Sequence, residues 1–385
     1  LSDDQIIIPE QPEIFVAHRA ALALPVIFPD TPELSVEQLL ERLDASHAAD
    51  TTRQAAAAES TAARPLFADD AERAAFDQRH RRPAWERAGL EPGSRHRVWI
   101  GIDAGSTTTK LALLDDEGRL LDSAYSHNRG EPLRTGVRLL AELLERYEAE
   151  GVELEVGGVG TTGYGERLFA AALHADYHCV ETVAHAHAAL REAPEASFIL
   201  DIGGQDMKAI TVSDGIVTGI GLNEACSAGC GSFLENFAAN LEVPVTRIAS
   251  MAANSRDPSQ LGSRCTVFMN SSIITEQKNG KSPEDILAGL CRSIVENVFT
   301  KVVRVPNFNA LGSTVMVQGG TFENDAVLRA LEQYTERRVV RASFPGLMGA
   351  IGVGLLTRDA RLTAGDGATP PASAFPGLEA LAGFD

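Results

Sequence analysis

The sequence lacks long apolar runs and an excess of positive charge. Its 385 residues contain no stretch of roughly 18 apolar residues, the length that a membrane-spanning helix requires. Its net charge of −19 repels phosphate at long range, so neither nucleic acid nor an anionic membrane is expected as the main partner. A nucleotide site remains compatible with this charge, because local backbone amides decide phosphate binding.

Cysteine is also scarce, with five residues in the whole chain. Their odd number and scattered positions do not fit the disulfide framework of a small secreted protein. We therefore expect the protein to reside in reducing cytoplasm.

A strand–turn–strand unit occurs twice along the chain. In the first copy, the strand Arg97–Asp103 runs into a glycine- and hydroxyl-rich turn and returns as Leu111–Asp115. In the second copy, Ser197–Ile202 ends in an acidic glycine turn and returns as Met207–Val212. The repeat predicts an α/β fold, namely the duplicated, two-lobed ribonuclease H-like fold of actin, the heat-shock 70 chaperones and the sugar kinases.

The repeat also sets the expected domain boundaries. We assign the first lobe to residues 97–192, the second lobe to residues 193–360 and a tail to residues 361–385. Residues 1–96 contain no lysine and show weak strand patterns. Val36–Ser46 and Asp69–Arg82 are compatible with helices, so we interpret residues 1–96 as a mainly helical extension or linker that packs on one lobe, rather than as an independent functional domain.

Both hairpin turns offer ligands for a polyphosphate. Glycine lets the backbone approach closely and aim consecutive amides at phosphate oxygens, and hydroxyls add donors. A third element, a buried strand followed by two glycines, would let adenosine lie against the backbone. The residues expected to bind ATP or ADP are Gly105, Ser106, Thr107, Thr108, Lys110, Gly203, Gly204, Gln205, Asp206, Gly319 and Gly320.

Carboxylates at the strand ends supply the expected catalytic groups. Asp103 and Asp201 are placed to hold hydrated Mg²⁺ and to orient the attacking water, and Gln205 is placed to align that water. The three elements in this order predict an ATPase, and the P-loop pattern does not occur. A sugar or N-acetylhexosamine kinase and a non-redox ATPase of the same fold remain alternatives.

Cys226 and Cys265 each precede a helix-compatible stretch. A thiolate near a helix N-terminus is stabilised by the helix dipole and by free amides. Neither cysteine has a Cys-x-x-Cys partner, so spacing alone favours ordinary buried thiols, although two cysteines from each of two subunits would complete a Cys₄ site. The histidines His178, His185 and His187 lack ligand spacing and are expected to serve packing rather than metal binding.

From Val98 to about Leu356 the sequence resembles the ATP-dependent activators of 2-hydroxyacyl-CoA dehydratases, which are relatives of the benzoyl-CoA reductase ATPase subunits. The segments that carry the resemblance are Gly101–Thr107, Thr162–Gly165, Glu181 with His185, Asp201–Asp206, Cys226–Gly229, Cys265–Phe268, Gly319–Gly320 and Gly349–Gly352.

The resemblance implies an anaerobic activator that is a homodimer and binds one [4Fe-4S] cluster between its subunits, with Cys226 and Cys265 as ligands. It implies that ATP drives a low-potential electron from a ferredoxin or flavodoxin to a dehydratase or reductase. The sequence departs from the family at Cys230, where threonine is usual, and at Met269–Ser272, which replaces an acidic stretch. Both departures resemble the activase modules of very long multidomain relatives. Cys179 and Cys291 match no family role and are interpreted as buried thiols.

Overall fold

A computed structural model describes residues 14–27, 35–38, 40–41, 64–82, 84–223, 228–303, 308–364 and 370–377. The chain divides into two units, residues 1–62 and residues 63–385. In the first unit, helix α1 spans Phe15–Ile27, and residues 36–38 and 40–41 are also helical, whereas the rest of the predicted Val36–Ser46 helix lies outside the described residues. The second unit begins with helix α2, Asp70–Arg79, inside the predicted Asp69–Arg82 segment.

The first lobe is built on a five-stranded sheet. Its strands are β1 Arg95–Ala104, β2 Thr108–Leu114, β3 Leu120–His127, β4 Glu153–Thr162 and β5 Tyr177–His178. The order across the sheet is β3-β2-β1-β4-β5, with β1, β2 and β3 antiparallel and β4 and β5 parallel to β1. Helices α3, Pro132–Ala149, and α4, Glu166–Leu173, cover this sheet with an apolar face.

The second lobe repeats this plan. Its strands are β6 Phe198–Ile202, β7 Met207–Ser213, β8 Ile216–Asn223, β9 Thr314–Gln318 and β10 Arg338–Arg341. The order is β8-β7-β6-β9-β10, again with an antiparallel three-stranded part followed by two parallel strands. The predicted duplicated two-lobed α/β fold is therefore confirmed.

Helices pack against the second sheet in a single apolar core. A capping box at Ser282 begins the helix Pro283–Val298, and the Asn324 side chain caps the helix Asp325–Thr335. Along the described residues, no helix has the length and apolarity required to cross a membrane. The helices of this lobe are α6 Gly231–Asn240, α7 Ile248–Ala252, α8 Thr266–Lys278, α9 Pro283–Val298 and α10 Asp325–Thr335.

Two helices cross between the lobes. Helix α5, Glu181–Glu192, follows the first sheet, yet its alanines share an apolar cluster with β6, β7 and β9. Helix α11, Met348–Ala364, follows the second sheet, yet it packs on β1 and β4. The boundaries predicted at residues 192 and 360 follow chain order, so they assign α5 to the first lobe and α11 to the second. Helix α11 also continues to Ala364, beyond the predicted end of the second lobe. Each connecting helix therefore packs on one lobe, whereas the strands that precede it in the chain belong to the other.

Glycine permits the contact between the two crossing helices. A Cβ atom at Gly352 would lie 1.9 Å from the carbonyl oxygen of Ala184, a backbone atom that no side-chain rotation can move. We expect Gly352→Ala to lower the free energy of unfolding by about 1–3 kcal/mol, because overpacking exceeds the gain of up to ~1 kcal/mol in helix propensity. Urea unfolding measures the change.

The matched control is Gly346→Ala, because a Cβ atom there would meet nothing within 4 Å. Equal stability of the two variants would show that the crossing helices are not in close backbone contact.

Candidate functional site

The two predicted phosphate-binding turns have the same geometry. In the first turn, the amide of Gly105 donates to the carbonyl oxygen of Thr108 at 3.0 Å. In the second, the amide of Gly203 donates to the carbonyl oxygen of Asp206 at 2.9 Å. Ser106 in the first turn, and Gly204 and Gln205 in the second, are exposed. Each turn is therefore fixed at its base and open at its tip.

Behind each turn stands a cross-strand pair of aspartate and lysine. The β1–β2 register places Asp103 opposite Lys110, and the β6–β7 register places Asp201 opposite Lys208. Both aspartates are buried, and Lys110 Nζ lies 3.0 Å from Asp103 Oδ2. Burial alone would lower the pKa of Lys110, but the Asp103 carboxylate and two further carboxylates raise it above its usual range. The two lobes therefore share the positions of these charged residues as well as the arrangement of their strands.

A buried histidine links the second aspartate to helix α5. His185 Nδ1 lies 2.6 Å from Asp201 Oδ2, and His185 Nε2 lies 3.4 Å from Glu181 Oε1. The Gln318 side-chain amide lies 2.8 Å from His185 Nδ1. Burial alone would lower the pKa of His185, but the two carboxylates raise it to about 10. The two carboxylates therefore favour the protonated, positively charged imidazole.

Lys208 extends this ionic network into the second turn. Its Nζ atom lies 3.0 Å from Glu181 Oε1 and 2.5 Å from Asp206 Oδ2. Burial would raise the pKa of Glu181, but His185 and Lys208 lower it to about 2. Burial raises the pKa of Asp206, and Lys208 only partly opposes that shift. Lys208 is not among the predicted site residues, although its place in the repeat is the same as that of Lys110.

The two lobes meet at the start of α11. A Cβ atom at Gly349 would lie 2.6 Å from His185 Nε2 and 2.8 Å from Asp103 Oδ2. One ligand atom each from Asp103, Glu181 and His185 falls within a 4.8 Å cluster. The predicted catalytic residue of the first lobe therefore lies beside the network that holds Asp201. Of the three histidines predicted to serve packing, His185 is the one that enters this site.

The third predicted element lies against the second turn. Gly319 has a φ of 90°, and a Cβ atom there would lie 2.3 Å from the carbonyl oxygen of Ile202. The Thr321 hydroxyl donates to the carbonyl oxygen of Gly203 at 3.1 Å. A Cβ atom at Gly320 would meet nothing within 4 Å. The structure therefore brings the Gly319–Gly320 segment to the second turn and leaves open space beside it.

Hydrogen bonds join the second turn to helix α6. The amides of Gly231 and Ser232 donate to the carbonyl oxygens of Gly203 and Gly204, both at 2.9 Å. Cys230 is the N-cap residue of α6 and is buried. The predicted ligand Cys226 lies outside the described residues. The segment between Cys226 and α6 is nevertheless tied at its α6 end to the second turn.

Cys265 is the N-cap residue of α8, as its predicted place before a helix requires. The backbone amide of Phe268 lowers the pKa of the Cys265 thiol, against a smaller opposing effect of burial, although the thiol makes no capping hydrogen bond. The adjoining Val267 and Phe268 side chains are 77% and 66% exposed. Cys265 therefore combines a stabilised thiolate with an exposed apolar surface.

The other cysteines have different surroundings. Cys291 is buried as predicted, and burial raises the pKa of its thiol to about 12. Cys179 is only half-buried, in contrast to the prediction of a buried thiol, because it follows the short edge strand β5.

Asn297 of α9 lies between the two cysteine-bearing segments. The Ser263 hydroxyl donates to Asn297 Oδ1 at 2.9 Å, and Asn297 Nδ2 donates to the carbonyl oxygen of Arg264 at 3.4 Å. A Cβ atom at Gly229, three residues after Cys226, would lie 3.2 Å from Asn297 Cβ. The ends of both segments therefore approach the same residue.

The thiolate at Cys265 is open to a direct measurement. In protein without a bound metal group, we expect iodoacetamide to alkylate Cys265 with a pH midpoint below that of free glutathione. The reason is that the Phe268 amide stabilises the thiolate and so lowers the pKa of the thiol. Peptide mapping by mass spectrometry across a pH series identifies the modified residue.

Cys291 is the internal reference for this experiment, since a buried thiol with a raised pKa should stay unmodified in the folded protein. A midpoint for Cys265 at or above that of glutathione would contradict the stabilised thiolate.

Two sheets of the same strand order and two helices that cross between them define the two-lobed class of proteins to which actin and the sugar kinases belong. Within this class, the sequence profile of the BadF/BadG/BcrA/BcrD ATPase family matches residues 100–357, so the chain belongs to that family. The predicted ATPase class and the family resemblance are confirmed.

Several proteins of known role are similar to this chain. The 2-hydroxyisocaproyl-CoA dehydratase activator of Clostridioides difficile is 30% identical over 262 residues, which cover 68% of this chain and 94% of the relative. The (R)-2-hydroxyglutaryl-CoA dehydratase activating ATPase of Acidaminococcus fermentans is 32% identical over 256 residues, covering 66% and 95%. The solved structure of the Clostridium difficile activator with bound ADPNP has a TM-score of 0.59 and 29% identity, and the match covers 68% of this chain and 95% of that one.

Proposed function

We infer that this chain is a cytoplasmic ATP-hydrolysing activator that passes one low-potential electron at a time to a 2-hydroxyacyl-CoA dehydratase or a related reductase. The inference rests on its similarity to dehydratase activators and on one structural observation. That observation is the hydrogen-bonded connection from the second glycine turn to the segment that follows Cys226. A ferredoxin or a flavodoxin is the expected electron donor.

ATP is proposed to bind between the two glycine turns, with its adenosine against Gly319 and Gly320. The buried Oδ1 atom of Asp103 has no hydrogen-bond partner among the described residues, and this fits a carboxylate that binds the water shell of Mg²⁺. Both nitrogens of His185 face carboxylates, Nδ1 towards Asp201 and Nε2 towards Glu181, so we assign His185 to the ion-pair network rather than to the metal. Magnesium would therefore be held by Asp103 and the phosphates.

Hydrolysis is assigned to the second lobe. Asp201 and Gln205 are proposed to orient the attacking water beside the terminal phosphate. The positive charge of His185 fixes the Asp201 carboxylate and keeps it ionised, because His185 lowers the pKa of Asp201 against the opposing effect of burial. His185 thereby acts through Asp201 rather than on the water itself.

The output of hydrolysis is proposed to be mechanical. When the turn at Gly203 and Gly204 closes on phosphate, its carbonyl groups move the amides of Gly231 and Ser232 that donate to them. Helix α6 then shifts together with the segment between Cys226 and Cys230. Bound nucleotide therefore changes the position of a cysteine segment without contacting it.

Cys265 is proposed to bind a [4Fe-4S] cluster together with Cys226 and the same two cysteines of a second subunit. The fit is favourable at Cys265, since cluster ligands are thiolates and backbone amides stabilise this one. The exposed Val267 and Phe268 beside it suit a subunit contact. When bound, the cluster supplies one-electron transfer, and this chain supplies the thiolates and the apolar surface.

The test is purification without oxygen, followed by iron analysis and an ATPase assay. We expect brown protein with about four iron atoms per dimer and ATP-dependent reduction of a partner dehydratase. If the protein stays free of iron even after reconstitution and phosphorylates a sugar, the proposed function is wrong and the protein is a kinase.

A further inference from the structure

Residues before the family-matched region contact both lobes. The segment in question, which we call the strap, comprises residues 66–82 and 84–90. The family profile begins at residue 100, and the two activators described above align over 94% and 95% of their own length. The strap is therefore an addition to the part of the chain that resembles the activators.

The first half of the strap is anchored on the second lobe by apolar burial. Leu66, Phe67 and Phe76 belong to the core cluster of that lobe together with residues of α10. Leu66 and Phe76 are almost completely inaccessible to solvent. Burying side chains of this size contributes about 1.5–3 kcal/mol each, so this anchor is strong.

Polar contacts hold the same half in place. Arg329 of α10 is buried, donates to the carbonyl oxygen of Leu66 at 2.9 Å and forms an ion pair with Glu72 of α2. His80 Nε2 lies 2.7 Å from Glu332 Oε1, and Arg341 donates to the carbonyl oxygen of His80 at 2.9 Å. Removing such contacts would leave buried charges unpaired, so this half is a fixed part of the second lobe.

The second half of the strap is anchored on the first lobe. The amide of Ala88 donates to the carbonyl oxygen of Leu121 in β3 at 3.2 Å, and Leu90 packs against the core of that lobe. Arg87 forms an ion pair with Glu150 and lies over the Tyr147 ring at 5.1 Å. This anchor is smaller and more exposed than the first.

The span between the anchors is short. Arg82 still forms an ion pair with Glu323 of the second lobe at 2.6 Å, and Trp85 contacts the Phe344 ring at a centroid distance of 5.8 Å. Arg87, which follows Arg82 by five residues, contacts the first lobe. Few residues remain free to extend when the lobes move apart.

We propose that the strap is a built-in restraint on lobe opening that slows the release of nucleotide. The proposal rests on the function inferred above only in placing the nucleotide between the lobes. Opening of the cleft must either stretch the chain between Trp85 and Arg87 or detach a contact on one side of it, of which the anchor at Ala88 and Leu90 is the weaker. Either change raises the free energy of the open state relative to that of a protein without the strap. The open state is therefore less populated.

A slackened strap tests this proposal. A short Gly-Ser insertion after Trp85 lies between the last contact with the second lobe and the first contact with the first lobe, so it leaves both anchors intact and adds only flexible length. The control is the same insertion between Asp214 and Gly215, an exposed turn with both ends in the second lobe. Stopped-flow fluorescence measures the release of a fluorescent ADP analogue, and small-angle X-ray scattering of the nucleotide-free protein measures the radius of gyration.

We expect the strap insertion to accelerate release by about threefold or more, because opening limits product release in many such enzymes, and the control to leave it unchanged. Equal release rates in wild type and strap variant overturn the proposal. If none of the proteins binds the ADP analogue, the proposed function is wrong, and the scattering measurement alone then tests the restraint. A larger radius in the strap variant then supports the restraint, and an unchanged radius overturns it.

Discussion

Replacing Asp201 by asparagine is expected to lower the rate of ATP hydrolysis by about two to three orders of magnitude, the usual loss when one pre-organised electrostatic group is removed. Asparagine keeps the size of the side chain but loses the charge that is proposed to orient the attacking water and that faces His185 at 2.6 Å. ATP binding should change little, since the backbone amides of the turns remain. Steady-state ATPase kinetics and ADPNP titration separate the two effects.

Stability has to be measured alongside, because the variant leaves the buried His185 cation with one carboxylate partner fewer. The control is Asp214→Asn, since Asp214 lies in the exposed β7–β8 turn with a φ of 51°, a conformation that asparagine readily adopts. A variant at Asp201 that is folded and hydrolyses ATP as fast as this control would remove Asp201 from the mechanism.

The second large effect is expected at Cys265. If Cys265 binds the proposed cluster between two subunits, Cys265→Ser should lower bound iron from about four atoms per dimer to nearly none, because the substitution removes one thiolate ligand from each subunit. Electron delivery to the dehydratase should be abolished, while ADPNP still binds. Iron analysis, visible absorption and ADPNP titration of anaerobically prepared protein give the three readouts.

Cys179→Ser is the matched control, because Cys179 is also partly accessible but lies in the first lobe, beside β5. It should keep the full iron content. Persistence of the cluster in the Cys265 variant would exclude Cys265 as a ligand. Loss of ADPNP binding in that variant would show that the cysteine site and the nucleotide site are not separate.

Local patterns in the sequence are sufficient to predict the hairpins. Short apolar runs bounded by glycine turns predict β1 and β2, and the same features recur at β6 and β7. Because these signals are contained within a few residues, the predicted strands agree with the structure to within a few positions.

The ionic network was harder to predict from the sequence, because its residues come together only in the folded protein. Glu181 and His185 lie on helix α5, and Lys208 lies on strand β7, which comes more than twenty residues later in the chain. One signal was nevertheless present in the sequence. Lys110 follows Asp103 by seven positions and Lys208 follows Asp201 by seven, so the repeat itself marks Lys208 as a counterpart of Lys110.

The exchange of helices between the lobes determines how the chain can be divided. A cut between α5 and β6 would separate each sheet from the helix that covers it, because α11 would remain with the second half and α5 with the first. Neither half would then be an autonomous folding unit. If the halves are produced separately, we expect them to be poorly soluble alone and to reassemble when mixed, as in a split-protein complementation pair.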